Sequence, residues 1–300
     1  MSRDRADRCP GVLRPWIADD GALVRLRLIG GTLPTRTLAG LLAISAEHAD
    51  GDLWLTSRAN VQLRGIAHEN GCLDPRLVDA VAASGLLPSP AHELVRNVMV
   101  SPLSGRSGGR ADLRPVARAY DDLLRADDRL AALSARFLVV LDDGRGDLID
   151  RSLDLGAVAV DATHAQVRIG SHHWGEVVAA DELAPALVAL AHRFLLARGA
   201  GESAAWHVDE LPDQGSALAQ PHHARDLRTH IAALPLPHGM IGQDDGRRAE
   251  HLAVPGGRLT PDLAATVLAR ADEEVVVTPW RSLILPDLPD LPEDAEPACP

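Results

Sequence analysis

The chain has 300 residues, 46% hydrophobic and 24% charged, with a net charge of −12; that length buries a large core in about two or three sub-domains of one compact unit. All 30 basic side chains are arginine, which excludes Schiff-base or other lysine chemistry and leaves anion binding to guanidinium forks. The acidic balance without a basic stripe argues against a nucleic-acid partner, and no apolar run approaches the roughly 20 residues of a membrane helix.

The N-terminus, Met1 to Asp7, is charged with no apolar core behind it, so no signal peptide is predicted and a cytoplasmic location is expected. Residues 22–29 alternate apolar and basic from Val24 to Leu28, as a half-buried strand does. A Gly30-Gly31 turn follows, then a helix over 35–49 with Leu38, Leu41 and Leu42 on one face. Residues 52–56 and 61–66 read as two strands around a tight turn at Arg58-Ala59-Asn60. Asp74-Pro75 opens a helix as N-cap and first position, and Gly85 closes it. Further on, a helix is predicted over 112–133, a strand over 136–141 and a hairpin from 157–160 and 165–169. Leu183, Leu187, Leu190 and Phe194 mark an amphipathic helix. Residues 199–240, rich in Pro, His, Gly and Asp, read as a linker.

One pattern occurs twice: an Asp-Asp-Gly turn, a strand, a Gly-Gly-x-Leu turn, a helix and a strand ending in Thr. The first copy runs from Asp19 to Arg58, the second from Asp244 to Arg281. This predicts a pseudo-symmetric fold of two related halves with a site where they meet. The richest segment is Thr56-Ser57-Arg58-Ala59-Asn60-Val61-Gln62-Leu63-Arg64-Gly65. Strand alternation places Gln62 and Arg64 on one face, with Arg58 on the preceding turn, a ready receptor for carboxylates.

These residues resemble the ferredoxin-like half-domain of sulfite and nitrite reductases, where the pattern holds sirohaem carboxylates. Arg96-Asn97-Val98 with Ser101-Pro102-Leu103-Ser104-Gly105 is similar to that superfamily's next segment. Within it, Cys9-Pro10-Gly11, Leu141-Asp142-Asp143-Gly144-Arg145-Gly146-Asp147 and Thr278-Pro279-Trp280-Arg281 resemble the precorrin-3B synthase branch of cobalamin biosynthesis. The resemblance implies an α+β fold: two pseudo-symmetric ferredoxin-like half-domains (8–70 and 241–286) plus a central sulfite-reductase-type α/β domain (88–200). A 201–240 linker and a disordered 287–300 tail complete the expected layout. It further implies binding of a carboxylated tetrapyrrole and oxygen-dependent hydroxylation of precorrin-3A with lactone closure, supported by an electron donor or a complementing subunit.

The tetrapyrrole-binding residues implied are Arg58, Asn60, Gln62, Arg64, Arg96, Asn97 and Arg281, with the grip strongest on the N-terminal side. Trp280 is read either as stacking on a ring or as a core tryptophan, and Arg106 and Arg110 either as closing over the ligand or as solvated. No residue is assigned a catalytic role. The family uses a 4Fe-4S cluster, and its reductase branch sirohaem. Full-length members carry the cluster cysteines in a second central domain, whereas this chain offers only Cys9, Cys72 and Cys299, so a cluster of its own is not expected. The Asp142 to Asp150 carboxylates suggest a hairpin turn before a cation site. The pairs His172-His173 and His222-His223 read as surface histidines, with a mononuclear iron site as the alternative.

Overall fold

The computed structural model describes residues 9–289 and holds three five-stranded sheets. Cys299 and the 290–300 part of the expected tail lie outside the described residues. The helices are α1 (Thr35–His48), α2 (Pro75–Ala83), α3 (Arg114–Arg125), α4 (Ala180–Ala197) and α5 (Pro261–Leu268). Asp74 caps α2 as its sequence predicts, accepting from the Arg76 amide at 2.9 Å.

The two repeats exchange strands. The N-terminal sheet runs Trp16–Ala18, Gly21–Leu26, Val61–Ile66, Leu53–Leu55, and ends on Arg258–Leu259 from the second repeat. The C-terminal sheet runs Gly239–Gly242, Arg248–Leu252, Leu283–Leu288, Glu274–Val277, and ends on Thr32–Pro34 from the first repeat. Each half thus completes the other's sheet, and the inner faces share one core that includes Leu26, Leu63 and Leu283. The Gly-Gly turns make this exchange fit. Gly31 has φ +75°, and a Cβ there would lie 2.2 Å from the Val277 carbonyl oxygen. Gly257 has φ +72°, and its Cβ would lie 3.1 Å from the Leu55 carbonyl oxygen. Only glycine tolerates both the left-handed backbone and the approach.

The central domain has strands in the order His173–Ala179, His164–Ile169, Leu155–Ala159, Val139–Asp142, Val98–Val100. The last three are mutually parallel and the first two antiparallel. Helices α3 and α4 cover one face, with Tyr120, Phe137 and Phe194 at the centre of that core. The opposite face receives Ala59, from the turn of the first repeat, against Met99, Leu138, Val140, Leu148 and Leu153. Asp142-Asp143-Gly144 is therefore not a hairpin turn, since the strands it joins run parallel.

Three other expectations change. The helix predicted over 112–133 stops at Arg125, because the Asp127 side chain accepts from the Arg129 amide and starts a separate 3-10 turn. The 201–240 stretch is not a free connection: Val208, Leu211, Leu218 and Ala219 belong to the central core. At the chain's other end, strand continues to Leu288, past the expected start of the tail.

Candidate functional site

Both repeats end in the same five-residue turn. In the first, the Thr56 amide donates to the Asn60 carbonyl, and Thr56 Oγ1 accepts from the Arg58 and Asn60 amides at 3.3 and 3.1 Å. In the second, the Thr278 amide donates to the Ser282 carbonyl, and Thr278 Oγ1 accepts from the Trp280 and Ser282 amides at 3.2 and 3.3 Å. The fourth position is left-handed in both, φ 54° at Ala59 and 61° at Arg281. Trp280 therefore stands where Arg58 stands, and Arg281 takes the place of Ala59. The arginine of the second turn is not the counterpart of the first. Trp280 keeps its ring 6.0 Å from His251.

Gln62 and Arg64 do share a face, as strand alternation predicts. On the solvent side of the N-terminal sheet they join Arg25 and Trp54, the register partners of Gln62. With its amide oxygen toward the neighbouring strand, Gln62 accepts from Arg25 Nη2 at 2.9 Å and Nε at 3.3 Å. The Trp54 ring carries Arg64 at 5.1 Å and Arg258 at 5.7 Å. In the C-terminal sheet the pseudo-equivalent residues are His251, Ile284 and Val276, which pair in the same register. There the face is dry and covered: Ala249, Val276 and Ile284 pack against Leu103 of the central domain, with Leu236 alongside.

Arg58 links this face to a cavity of about 260 Å³ lined by Arg136, Leu138, Ser152, Asp154, His207 and Glu210. Its Nη1 is buried without a hydrogen-bond partner. Arg25 and Arg27, which sequence reading took as strand alternation only, stand close to it. Burial, with the Arg58 charge nearby, holds Arg25 below the usual guanidinium range. Burial and Arg25 hold Arg27 at about 10, and Arg27 Nε and Nη2 are also buried and unpartnered. Across the cavity Asp154 accepts from the Leu138 and Val208 amides, both at 2.8 Å. Its bond to His207 Nδ1, at 3.3 Å, raises the His207 pKa.

Most of the other sequence candidates have hydrogen-bond partners within the protein. Arg96 is buried in a bidentate pair with Asp121, at 2.6 and 3.0 Å, although it also borders a separate cavity with Arg27, Arg114 and Arg118. Asn97 donates to the Leu94 and Ala135 carbonyls, both at 3.1 Å. Asn60 accepts the Leu28 amide at 2.8 Å and fixes the turn. Arg281 is exposed. Arg106 is buried rather than solvated, paired with Glu274 and 3.6 Å from Asp287, and so ties the central loop to the C-terminal sheet. Arg110 donates to the Ala159 and Arg228 carbonyls.

Among the described residues, the only cluster of three with metal-ligand spacing is Asp142, Asp143 and Asp147, which contains no histidine. His173 and His222 rings lie 6.3 Å apart without a third ligand joining them. The acidic cluster is largely engaged: Asp142 accepts from the Gly144, Gly146 and Leu148 amides, Asp143 from Arg145, and Asp147 from Ser101 at 2.6 Å. Burial, then the Asp142 charge, pushes Asp147 up to about 7. The three cysteines of the sequence are one short of the four thiolates that hold a 4Fe-4S cluster. Cys72 sits exposed on a small hairpin. Buried side-chain atoms Arg27 Nε and Nη2, Arg58 Nη1 and Arg64 Nε lack hydrogen-bond partners.

Residues 18–71 match the nitrite/sulfite reductase ferredoxin-like half domain. Over 158 residues, 52% of this chain, the sequence is 29% identical to the precorrin-3B synthase of Sinorhizobium sp, and that match spans 32% of the relative's length. The structure resembles that of the Mycobacterium tuberculosis NirA protein, with TM-score 0.71 and 19% identity, covering 96% of this chain and 58% of that one. No helix among the described residues is long and apolar enough to cross a membrane. The chain carries a nitrite/sulfite reductase ferredoxin-like half domain and is built on the α+β fold of the NirA protein.

Proposed function

We propose that this chain binds a carboxylated tetrapyrrole across the Arg58 crevice and acts in oxygen-dependent modification of a corrin precursor, in the manner of precorrin-3B synthase. The observation that carries this reading is the set of buried, unpartnered guanidinium donors on Arg27 and Arg58, with Arg25 beside them. Buried unpaired donors are costly, and a polycarboxylate supplies the acceptors they lack. Gln62, Arg64 and Trp54 extend the same surface toward solvent, giving a flat ligand an aromatic edge and an arginine rim. Substrate in this reading is precorrin-3A, with one oxygen atom of O₂ entering the product and an external donor reducing the other.

The test is to incubate aerobically purified protein with precorrin-3A and an electron donor. Mass spectrometry then looks for one added oxygen, with iron and acid-labile sulfide assayed on the same sample. Product formation supports the oxygenase reading. Failure to bind precorrin-3A or sirohaem in an absorbance titration sinks it.

A second reading, a tetrapyrrole-binding protein that is non-catalytic or completed by a partner, is favoured by the shortage of cluster thiols. Tight binding without product, restored to turnover by an added cluster-bearing subunit, is its signature. The same shortage weighs against a sirohaem nitrite or sulfite reductase, which nitrite- or sulfite-dependent oxidation of a reduced dye would reinstate.

A further inference from the structure

Arg151, Arg168 and Arg225 converge on a cavity of about 400 Å³ in the central domain, which meets the Arg58 cavity at Ser152. Backbone or hydroxyl oxygens hold each guanidinium in place. Arg168 Nη1 donates to the Ile149 carbonyl at 2.8 Å, and Arg151 Nη2 to the Pro279 carbonyl at 3.4 Å. Arg225 donates to the Thr229 carbonyl, and its Nε to Thr229 Oγ1 at 3.1 Å. The Trp174 ring lies against two of them, 5.5 Å from Arg168 and 4.8 Å from Arg225. No carboxylate among the described residues forms an ion pair with any of the three, although Asp150 borders the cavity. Burial holds Arg151 and Arg168 below the usual guanidinium range; at Arg168 the Asp142, Asp150 and Asp209 charges oppose this while Arg225 adds to it, and at Arg151 Asp147 opposes it.

Arg168 and Arg225 repel each other across the cavity, and an anion accepting from both relieves that repulsion. Each retains N–H groups beyond those anchors, since a guanidinium has five donors. The remaining wall is Ile149, Ile231 and Trp174 together with Asp150, Ser152 and Ser171, so the cavity is mostly polar and offers one apolar side to the short stem of an anion. We infer that this cavity is a carboxylate-arm subsite. It takes an acetate or propionate side chain of the tetrapyrrole, with Arg168 and Arg225 gripping the carboxylate over Trp174 and Arg151 closing the side nearest Pro279. The inference rests on the tetrapyrrole reading and adds a selectivity: ligands with more carboxylate arms are preferred.

The experiment titrates wild-type protein, Arg168→Gln and Arg225→Gln with uroporphyrin III, which has eight carboxylates, and with coproporphyrin III, which has four. Binding is followed by Soret absorbance and tryptophan quenching. Wild type should favour uroporphyrin. Each variant should lose about tenfold or more in uroporphyrin affinity, the size of a lost charge-assisted contact, and lose less for coproporphyrin. Arg225 lies on an irregular segment, so Arg225→Gln keeps the test available if Arg168→Gln, in a central strand, misfolds. Wild-type binding of uroporphyrin with unchanged affinity in the folded variants overturns the subsite and leaves the tetrapyrrole reading standing. No binding of either porphyrin by wild type removes both.

Discussion

Replacing Asp147 by Asn should stabilise the protein by an amount that grows as pH rises from about 4 and is complete above about pH 7. Asp147 is buried beside Asp142 and Asp143, and its Oδ2 has no hydrogen-bond donor, the Arg145 Nε lying 3.7 Å away. Burial and these neighbours move its pKa from 3.8 to about 7. The folded state therefore keeps a proton that the unfolded chain releases above about pH 4, so stability falls as pH rises from there and levels off above about pH 7. About three pKa units at 1.36 kcal/mol each give a penalty on the order of 4 kcal/mol at full ionisation. Asn keeps an acceptor for Ser101 Oγ but cannot ionise. Urea unfolding at about pH 5 and about pH 8 should show the Asn variant ahead of wild type by a few kcal/mol at the higher pH, with most of that gap gone at the lower. An equal difference at both pH values would falsify the argument. So would millimolar Ca²⁺ or Mg²⁺ stabilising wild type but not the variant at high pH, because the three carboxylates would then be a cation site.

Other perturbations test the packing. Gly31→Ala should cost about 2 kcal/mol or more, from a left-handed backbone and a Cβ driven into the Val277 carbonyl; Gly40→Ala, in α1 with open space around it, should gain about 0.5–1 kcal/mol in the same thermal or urea assay. Arg96→Ala should cost about 3 kcal/mol by leaving Asp121 with Arg125 alone, and a variant that folds should bind uroporphyrin as wild type does; a selective loss of binding would return Arg96 to the ligand. Gln62→Ile should change stability by less than about 1 kcal/mol, whereas Ile284→Gln, at the pseudo-equivalent but sealed position, should cost about 3 kcal/mol by burying an amide. Equal costs at the two positions would contradict the unequal covering of the sheets.

The repeat was legible because it is carried by local signals: paired glycines, alternation, and a Thr at each strand end. Alternation also put Gln62 and Arg64 on one face correctly, since a strand's period of two admits no other arrangement. Residue types alone do not show which turn positions correspond, whereas the fold does: Arg281 lies one step past Arg58's place. Arg96 and Asn97 looked like ligand-binding residues because their partners, Asp121 and the Ala135 carbonyl, are distant in sequence. Arg168, Arg225 and His207 drew no notice for the opposite reason. They come from a strand and an irregular segment that share no spacing, and only the folding of 201–240 onto the central sheet brings Arg225 beside Arg168 at Trp174 and His207 beside Asp154.

The two halves exchange strands as near-equals yet offer opposite outer surfaces, and that difference bears on where a ligand can go. The C-terminal sheet spends its outer face on packing, with Ile284 and Val276 sealed beneath Leu103 and Arg106 locking the central loop to Glu274. A polar residue there must find its partners inside the protein, as buried His251 does with the Pro237 carbonyl and Ser282 Oγ. The N-terminal sheet has no such cover from the central loop, so the same register positions are occupied by Arg25, Gln62 and Trp54. Placing the arginines on this half is thus coupled to covering the other: the central domain can seal only one outer face with its 101–110 loop, and the face left open is the one that tolerates charge. In the proposed function, the lopsided carboxylate grip follows from that packing choice.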